Sequence, residues 1–220
     1  MRVLRWEATP TATNLQGETV RAVVLNCSLK KSTEQSNTQL LADVVIAALE
    51  RYDVQSQVFR LADLAIMPGV ETDMGQGDGW PAVHDAILAA VILIVATPTW
   101  VGHPSSFAQL AIERMDAMIS ETDDADRPVA YNKVAGVVVT GNEDGAHHVI
   151  SEVSGALEDI GFTIPPQAWT YWNRGPGPGP EYSDTEEGHD WSSSTGRAMA
   201  SNLAAVAGAL RANPIPPPPD

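Results

Sequence analysis

Cysteine is almost missing from this chain. Cys27 is the only one, so no disulfide framework can form within it, which suits a reducing compartment. Basic residues are scarce too: 13 Lys and Arg stand against 28 Asp and Glu, a formal net charge of −15. A surface this negative repels phosphate backbones and anionic lipid, so neither nucleic acid nor a membrane surface is an expected partner. Any anionic ligand must be held by a local device working against the global field. Long apolar runs are also lacking. The longest, Ala86 to Ala96, falls short of the ~20 residues a transmembrane helix needs. Met1 to Gly17 has no apolar h-region, so no secretory leader is expected and a cytoplasmic location is. No G-x-S-x-G elbow occurs, which leaves a hydrolase without support.

The 220 residues, 44% of them hydrophobic, suffice for one domain with a sizeable core. Residues 1–20 are polar and aperiodic and read as an extension. Residues 213–220, Asn-Pro-Ile-Pro-Pro-Pro-Pro-Asp, read as a Pro-rich tail that cannot enter a helix or sheet interior. The domain is expected over 21–212.

Within it, short apolar runs alternate with helical periodicity. Ala22 to Leu25 is continuous, as a strand buried on both faces requires. Leu40, Leu41, Val44, Val45, Ala48 and Leu49 recur at helical spacing within a helix expected over Ser36 to Arg51. Val54 to Phe59 alternates as a second strand, and Met67 to Gly79 is a long Gly- and Asp-rich loop. A helix begins near Pro81. Ala90 to Val95 is the clearest buried strand, and Pro104 to Ser120 the next helix. Val134 to Val139 forms a fourth strand. Ala146 to Ile160 is a helix closed by Gly161. A fifth strand falls within Phe162 to Tyr171, and His189 to Leu210 is a last helix. Alternating strands and helices predict an α/β fold, a doubly wound parallel sheet with helices on both faces. Five strands suit the flavodoxin-like order 2-1-3-4-5 and are too few for a barrel. Ligands of such sheets sit beyond the carboxyl ends of the strands, so the informative loops follow Leu25, Ala96 and Val139.

The first of these, Asn26 to Thr38, contains no glycine, which excludes both a G-x-G-x-x-G fingerprint and a Walker A loop. It begins near Cys27, as a low-molecular-weight tyrosine phosphatase would, but Thr33 stands where the phosphate-cradling arginine is needed. Cys27 therefore reads as a packing residue. The loop is dense in hydroxyls, carries Lys30 and Lys31, and ends at a helix N-terminus. That composition suits a phosphate site; it suits equally a solvated turn with Ser36 as N-cap.

Ser28-Leu-Lys30 followed by Ser36-Asn-Thr38 resembles the G-S-x-R…S-x-T phosphate loop of the NADPH-dependent FMN reductase family, with Cys27 in place of a glycine and Lys30 in place of the arginine. The likeness makes Ser28, Lys30, Ser36, Asn37 and Thr38 the residues matching the FMN-phosphate loop. Thr97-Pro-Thr-Trp-Val-Gly102 is similar to the family's P-x-[YW] loop, whose backbone and aromatic residue contact the flavin ring. It brings in Pro98, Thr99, Trp100, Val101 and Gly102. Phe107 to Asp116 looks like the family's L-K-x-x-x-D-R helix. Thr140-Gly141-Asn142, with Gly145, resembles its T-G-G-x-x-G-G turn, Asn142 standing for the second glycine. The likeness spans roughly residues 20 to 210. It implies an FMN cofactor, NAD(P)H as co-substrate, a flavin, quinone or similar small electron acceptor, and a homodimer or homotetramer. No side chain is obliged to act as acid or base. A flavodoxin-type electron carrier without NAD(P)H activity remains an alternative, as does a cofactor-less regulatory relative. His147 and His148, adjacent on a helix, point in different directions and make no i,i+4 metal pair with each other. No metal is expected.

Overall fold

A computed structural model describes residues 20–177 and 179–219. The expected extension over residues 1–20 lies outside the described residues except for Val20. Strand β1 (Val20–Asn26) leads into helix α1 (Asn37–Glu50), then β2 (Val54–Arg60), α2 (Trp80–Ala89) and β3 (Ile92–Trp100). A two-residue β4 (His103–Pro104) precedes α3 (Ser106–Met115), β5 (Val134–Gly141), α4 (Ala146–Ile160), β6 (Trp169–Asn173) and α5 (His189–Ala212). The sheet runs β2-β1-β3-β5-β6 with every neighbour parallel, and β4 folds back antiparallel on the end of β3. Counting parallel strands alone, this is the doubly wound order 2-1-3-4-5; β4 is the sixth strand, which the sequence did not suggest.

The continuous apolar runs follow from burial on both faces. On β1, Val23 and Leu25 join one core with α2, α3 and α4, while Ala22 and Val24 join the other with α1 and α5. Fully burying one such side chain stabilises by ~1.5–3 kcal/mol. Strand order reverses between β1 and β3, so the crevice of the switch point opens beside their carboxyl ends.

Three elements, β3, α3 and β6, depart most from expectation. Strand β3 starts later and runs longer, because Ala90 caps α2 while Thr97 and Pro98 still pair with Val139 and Thr140 of β5. Helix α3 starts at Ser106, since Ser105 is its N-cap and accepts a hydrogen bond from Ala108 N–H. It ends at Met115 and tightens into a 3₁₀ turn over Asp116–Ile119. The last strand shifts to Trp169–Asn173. Pro165 and Pro166, which have no N–H to give a ladder, fill the approach, where only an isolated bridge, Thr163 to Val134, is made.

The loop over Met67 to Gly79 is ordered around one cation. Arg114 of α3 is fully buried and donates to the carbonyls of Met67, Glu71 and Thr72 and to Asp78 Oδ2 at 2.7 Å. Asp78 accepts in addition from the N–H groups of Met67, Met74 and Trp80. The Arg114 guanidinium and these amides hold the Asp78 carboxyl far below the usual carboxylate range. Lys133 is a second, partly buried cation. It donates to the carbonyls of Leu88 and Ala90 at the end of α2, and burial pushes its pKa down to about 8. After α5, residues 214–219 form neither helix nor strand, and Ile215 exchanges two hydrogen bonds with the Asn132 side chain.

Candidate functional site

A cleft lies at the carboxyl ends of β1, β3 and β5. It is lined by Ser28, Leu29, Lys30, Asn37, Thr38, Pro98, Thr99, Trp100, Thr140, Gly141, Asn142, Trp172, Glu181 and Tyr182. All three loops singled out in the sequence therefore meet there. Their meeting follows from topology: parallel neighbours put all their carboxyl ends on one edge of the sheet.

The loop after β1 is shaped by its own side chains. Asn26 Oδ1 accepts from Ser28 N–H at 2.9 Å, and Ser28 Oγ accepts from Lys30 N–H at 3.2 Å. Arg60, at the end of β2, donates to the carbonyls of Lys30, Lys31 and Glu34 and so braces the loop. Ser36 caps α1 by accepting from Gln39 N–H. Thr38 in the first turn of α1 shares a hydrogen bond of 2.8 Å with Thr140 at the end of β5, which locks the first and third loops together. Ser105 ties in the second: its Oγ donates to the Cys27 carbonyl at 2.6 Å, and its N–H donates to Thr97 Oγ1.

Two observations bear on what the cleft holds. Lys30 Nζ and Asn37 Nδ2 both donate to one oxygen, Glu181 Oε2, the lysine at 3.4 Å. An ammonium and an amide at the N-terminus of a helix thus converge on an anionic oxygen, the donor set a phosphate monoester requires. On the adjacent wall the Thr99 hydroxyl is buried without a hydrogen-bond partner, and buried polar groups in native proteins are rarely left so. A ligand with acceptors or donors at the Thr99 level would satisfy it. The residues present suit FMN on both counts.

Four of the expected site residues do not line the cleft. Ser36 is buried beneath it as the cap. Val101 and Gly102 form the turn between β3 and β4, both at positive φ (52° and 76°), with Val101 87% exposed. Gly145 sits at φ 112°, and a Cβ on it would come within 2.9 Å of Gly102 Cα. Glycine there lets the third loop close onto the second. Gly102 N–H also donates to Glu143 Oε1 at 3.2 Å. These residues position Trp100, half exposed at the mouth.

Leu29, Trp172, Glu181 and Tyr182 were not expected. The segment after β6 folds back across the cleft, with Arg174 N–H donating to the Gly141 carbonyl and Ser183 N–H to Asn37 Oδ1. Tyr182 stacks on His189, their centroids 3.8 Å apart, and meets Trp172 edge-on. Burial raises the Tyr182 pKa, so its hydroxyl stays neutral. Trp172 stands with Trp169 and Tyr171 in one short aromatic stretch, a signal that could have pointed to it. Glu181 and Tyr182, beyond a Gly/Pro run, carry no periodicity that could have placed them. Cys27 is fully buried and burial pushes its thiol pKa up, which removes it as a nucleophile. His147 packs against Tyr171 and Trp169 and faces away from the cleft lining.

The profile of a family described as NADPH-dependent FMN reductase matches residues 20–176. The chain belongs to that family. Membership brings FMN as cofactor, NAD(P)H as electron donor and oxidoreductase chemistry. Two curated relatives agree over most of the chain. An 8-demethyl-8-aminoriboflavin-5′-phosphate synthase of Streptomyces davaonensis is 32% identical over 205 residues, covering 89% of this chain and 80% of its own. A protein named divalent metal cation transporter MntH of Mycobacterium bovis is 36% identical over 200 residues, 88% of this chain; the match spans only 29% of that relative's length. Among solved structures, RosB with bound 8-demethyl-8-formylriboflavin-5′-phosphate superposes with a TM-score of 0.80 at 31% identity, covering 89% of this chain and 82% of that one. An NADH:FMN oxidoreductase superposes at 0.58 with 17% identity, covering 84% of this chain and 90% of that one, and an archaeal flavodoxin at 0.52 with 13%, covering 84% and 99%. These last two speak for the fold. No described helix is long and apolar enough to cross a membrane.

Proposed function

We propose that this chain binds FMN in the cleft at the ends of β1, β3 and β5 and uses it to pass electrons from NAD(P)H to a flavin, quinone or similar small acceptor. The observation that carries the reading is the convergence of Lys30 and Asn37 on one anionic oxygen at the start of α1, beside the unpartnered Thr99 hydroxyl. Lys30, Asn37 and the Ser28 loop hold the phosphate. Pro98 to Trp100 would lie against the ring, and the backbone of Thr140 to Asn142 would offer it hydrogen-bonding groups. FMN, when bound, accepts hydride from NAD(P)H and hands the electrons on. The protein's part is to orient the ring and exclude water. Phosphate entry brings a second anion beside the Glu181 carboxylate, so the two compete for Lys30 and Asn37 and repel each other.

The compartment we propose is the cytoplasm, consistent with one buried cysteine, and the partners are small molecules in place of nucleic acid or membrane. A homodimer or homotetramer is proposed as well. Leu29, Trp100 and Val101 are exposed apolar side chains at or beside the mouth of the cleft, and a second copy would cover them. The test is an FMN titration followed by flavin absorbance, with NAD(P)H oxidation assayed on the loaded protein. One FMN per chain and quinone-dependent oxidation are expected. A chain that binds no FMN overturns the reading, and one that binds FMN but oxidises no NAD(P)H is an electron carrier.

A second reading makes a flavin phosphate the substrate. The likeness to RosB in fold and sequence together favours it. Chromatography and mass analysis of the flavin recovered after turnover separate the two: unchanged FMN belongs to the reductase, an altered ring to the second reading.

A further inference from the structure

On the outer side of the β3–β4 hairpin, away from the cleft lining, three exposed side chains converge. His103 comes from β4; His148 and Glu152 lie one turn apart on α4. His148 Nε2 is 3.4 Å from His103 Nδ1, and Glu152 Oε2 is 3.3 Å from each of these nitrogens. The three donor atoms form a nearly equilateral triangle.

Hydrogen bonding accounts for the two His–Glu edges of that triangle and leaves the His–His edge unexplained. All three separations exceed the ~2.9–3.0 Å at which such bonds cluster. The Glu152 oxygen can accept from both ring N–H groups, but both nitrogens then carry hydrogens and the His103–His148 contact is left without an acceptor. A cation accounts for all three edges. Tetrahedral zinc with ligands at ~2.0–2.1 Å places neighbouring donors ~3.3–3.4 Å apart, which is the length of each edge here. The rings stand at 80° to each other with centroids 4.9 Å apart, so each turns a ring nitrogen inward without the two stacking. The ligand set is two imidazoles and a carboxylate, which selects borderline transition metals over calcium or magnesium. A chain of net charge −15 favours a cation further.

We propose that His103, His148 and Glu152 bind a divalent transition-metal ion, zinc in class, with water at the fourth position, and that the ion pins the β3–β4 hairpin to α4. His103 is the register partner of Trp100 across the Val101-Gly102 turn, so a ligand bond to His103 steadies the strand end that presents Trp100 to the cleft. The left-handed conformation of Val101, at φ 52°, is costly for a β-branched residue and gains a tether that offsets it. The sequence pointed away from this set because it offered His147 and His148 as a pair. The pair that matters is His148 with Glu152 at i,i+4, completed by a histidine 45 positions earlier.

The test uses tag-free full-length protein, stripped with chelator and dialysed against zinc, with bound metal counted by elemental analysis. Cobalt(II) serves as a second probe for its tetrahedral visible bands. One ion per chain is expected. His148→Ala and Glu152→Gln should each weaken binding by more than ~10–100-fold, the loss typical of an outer-shell change alone. His147→Ala should leave it unchanged. Because all three ligands are exposed, the variants should match the wild-type circular dichroism spectrum without metal. Zinc should also slow hydrogen exchange of the amides from Trp100 to His103. Absence of uptake, or uptake indifferent to His148→Ala, overturns the site; uptake without slowed exchange overturns the pinning. Neither readout depends on flavin in the cleft.

Discussion

Glu181 places a carboxylate in the lining of the cleft. The carboxylate holds Lys30 and Asn37, while the Glu181 main chain opens the short turn Tyr182–Asp184, the carbonyl accepting from Asp184 N–H and the N–H donating to Asp184 Oδ2. A phosphate arriving at the same donors meets a like charge. Glu181→Gln removes that charge and keeps the shape, so FMN affinity should rise by about tenfold, ~1.4 kcal/mol, a modest effect because the pair is nearly half exposed. Lys30→Ala should lower it by at least as much. Both are read by fluorescence quenching of FMN on titration; a Glu181→Gln variant that binds FMN more weakly would mean the carboxylate helps build the site. Cys27 gives a simpler expectation. Buried, and with its thiol pKa raised, it should not react with a disulfide reagent until denaturant is added, when one thiol per chain should appear.

At the level of elements, capping and periodicity made the helices legible. Ser36 before Asn-Thr-Gln-Leu-Leu announces α1, and the structure finds it bonded to Gln39 N–H. Ser36→Ala should cost about 1 kcal/mol of stability, measured as a shift in the denaturant midpoint. On the proposed function FMN affinity should fall with it, because the same cap orients the helix N-terminus at which the phosphate is proposed to bind. Strand ends were less legible. Nothing in Thr97-Pro-Thr-Trp says whether the chain stays in the sheet. Pairing with Thr140 decides it, and that partner is remote in sequence. Likewise Pro104 reads as a helix start but pairs in β4, and the helix waits for the Ser105 cap. The loop after β1 and the two glycine turns could be found because each is local. The wall built by Glu181 and Tyr182 could not, since it exists only when a segment more than 140 residues from Asn37 folds back onto it.

The whole molecule depends on one buried ion pair more than its surface charge would suggest. Arg114 and Asp78 are both fully buried, so Asp78→Asn, which leaves the guanidinium uncompensated, should cost about 3–5 kcal/mol near neutral pH. The sign of the pH effect follows from the depressed Asp78 pKa. The folded state binds this proton less readily than the unfolded chain, so the pair's contribution is complete above ~pH 4 and is lost as pH falls toward the folded value. The stability gap between wild type and Asp78→Asn should therefore narrow below ~pH 4 in denaturant melts taken across the acid range. A gap that stays constant would assign the loss to packing.

The anchoring of residues 67–79 on Arg114 also bears on how the chain withstands proteases. A protease needs to draw a stretch of backbone out into an extended strand before it can cut. Here three carbonyls and the Asp78 carboxylate are tied to a guanidinium in the interior, so pulling the loop free means exposing a bare cation. The longest irregular stretch between β2 and α2 is thereby one of the harder places to nick. Among the loops that border the cleft, the first cuts should fall in the glycine- and proline-rich segment after β6, which is held to the body by its main chain at Arg174 and by the few side chains around Glu181.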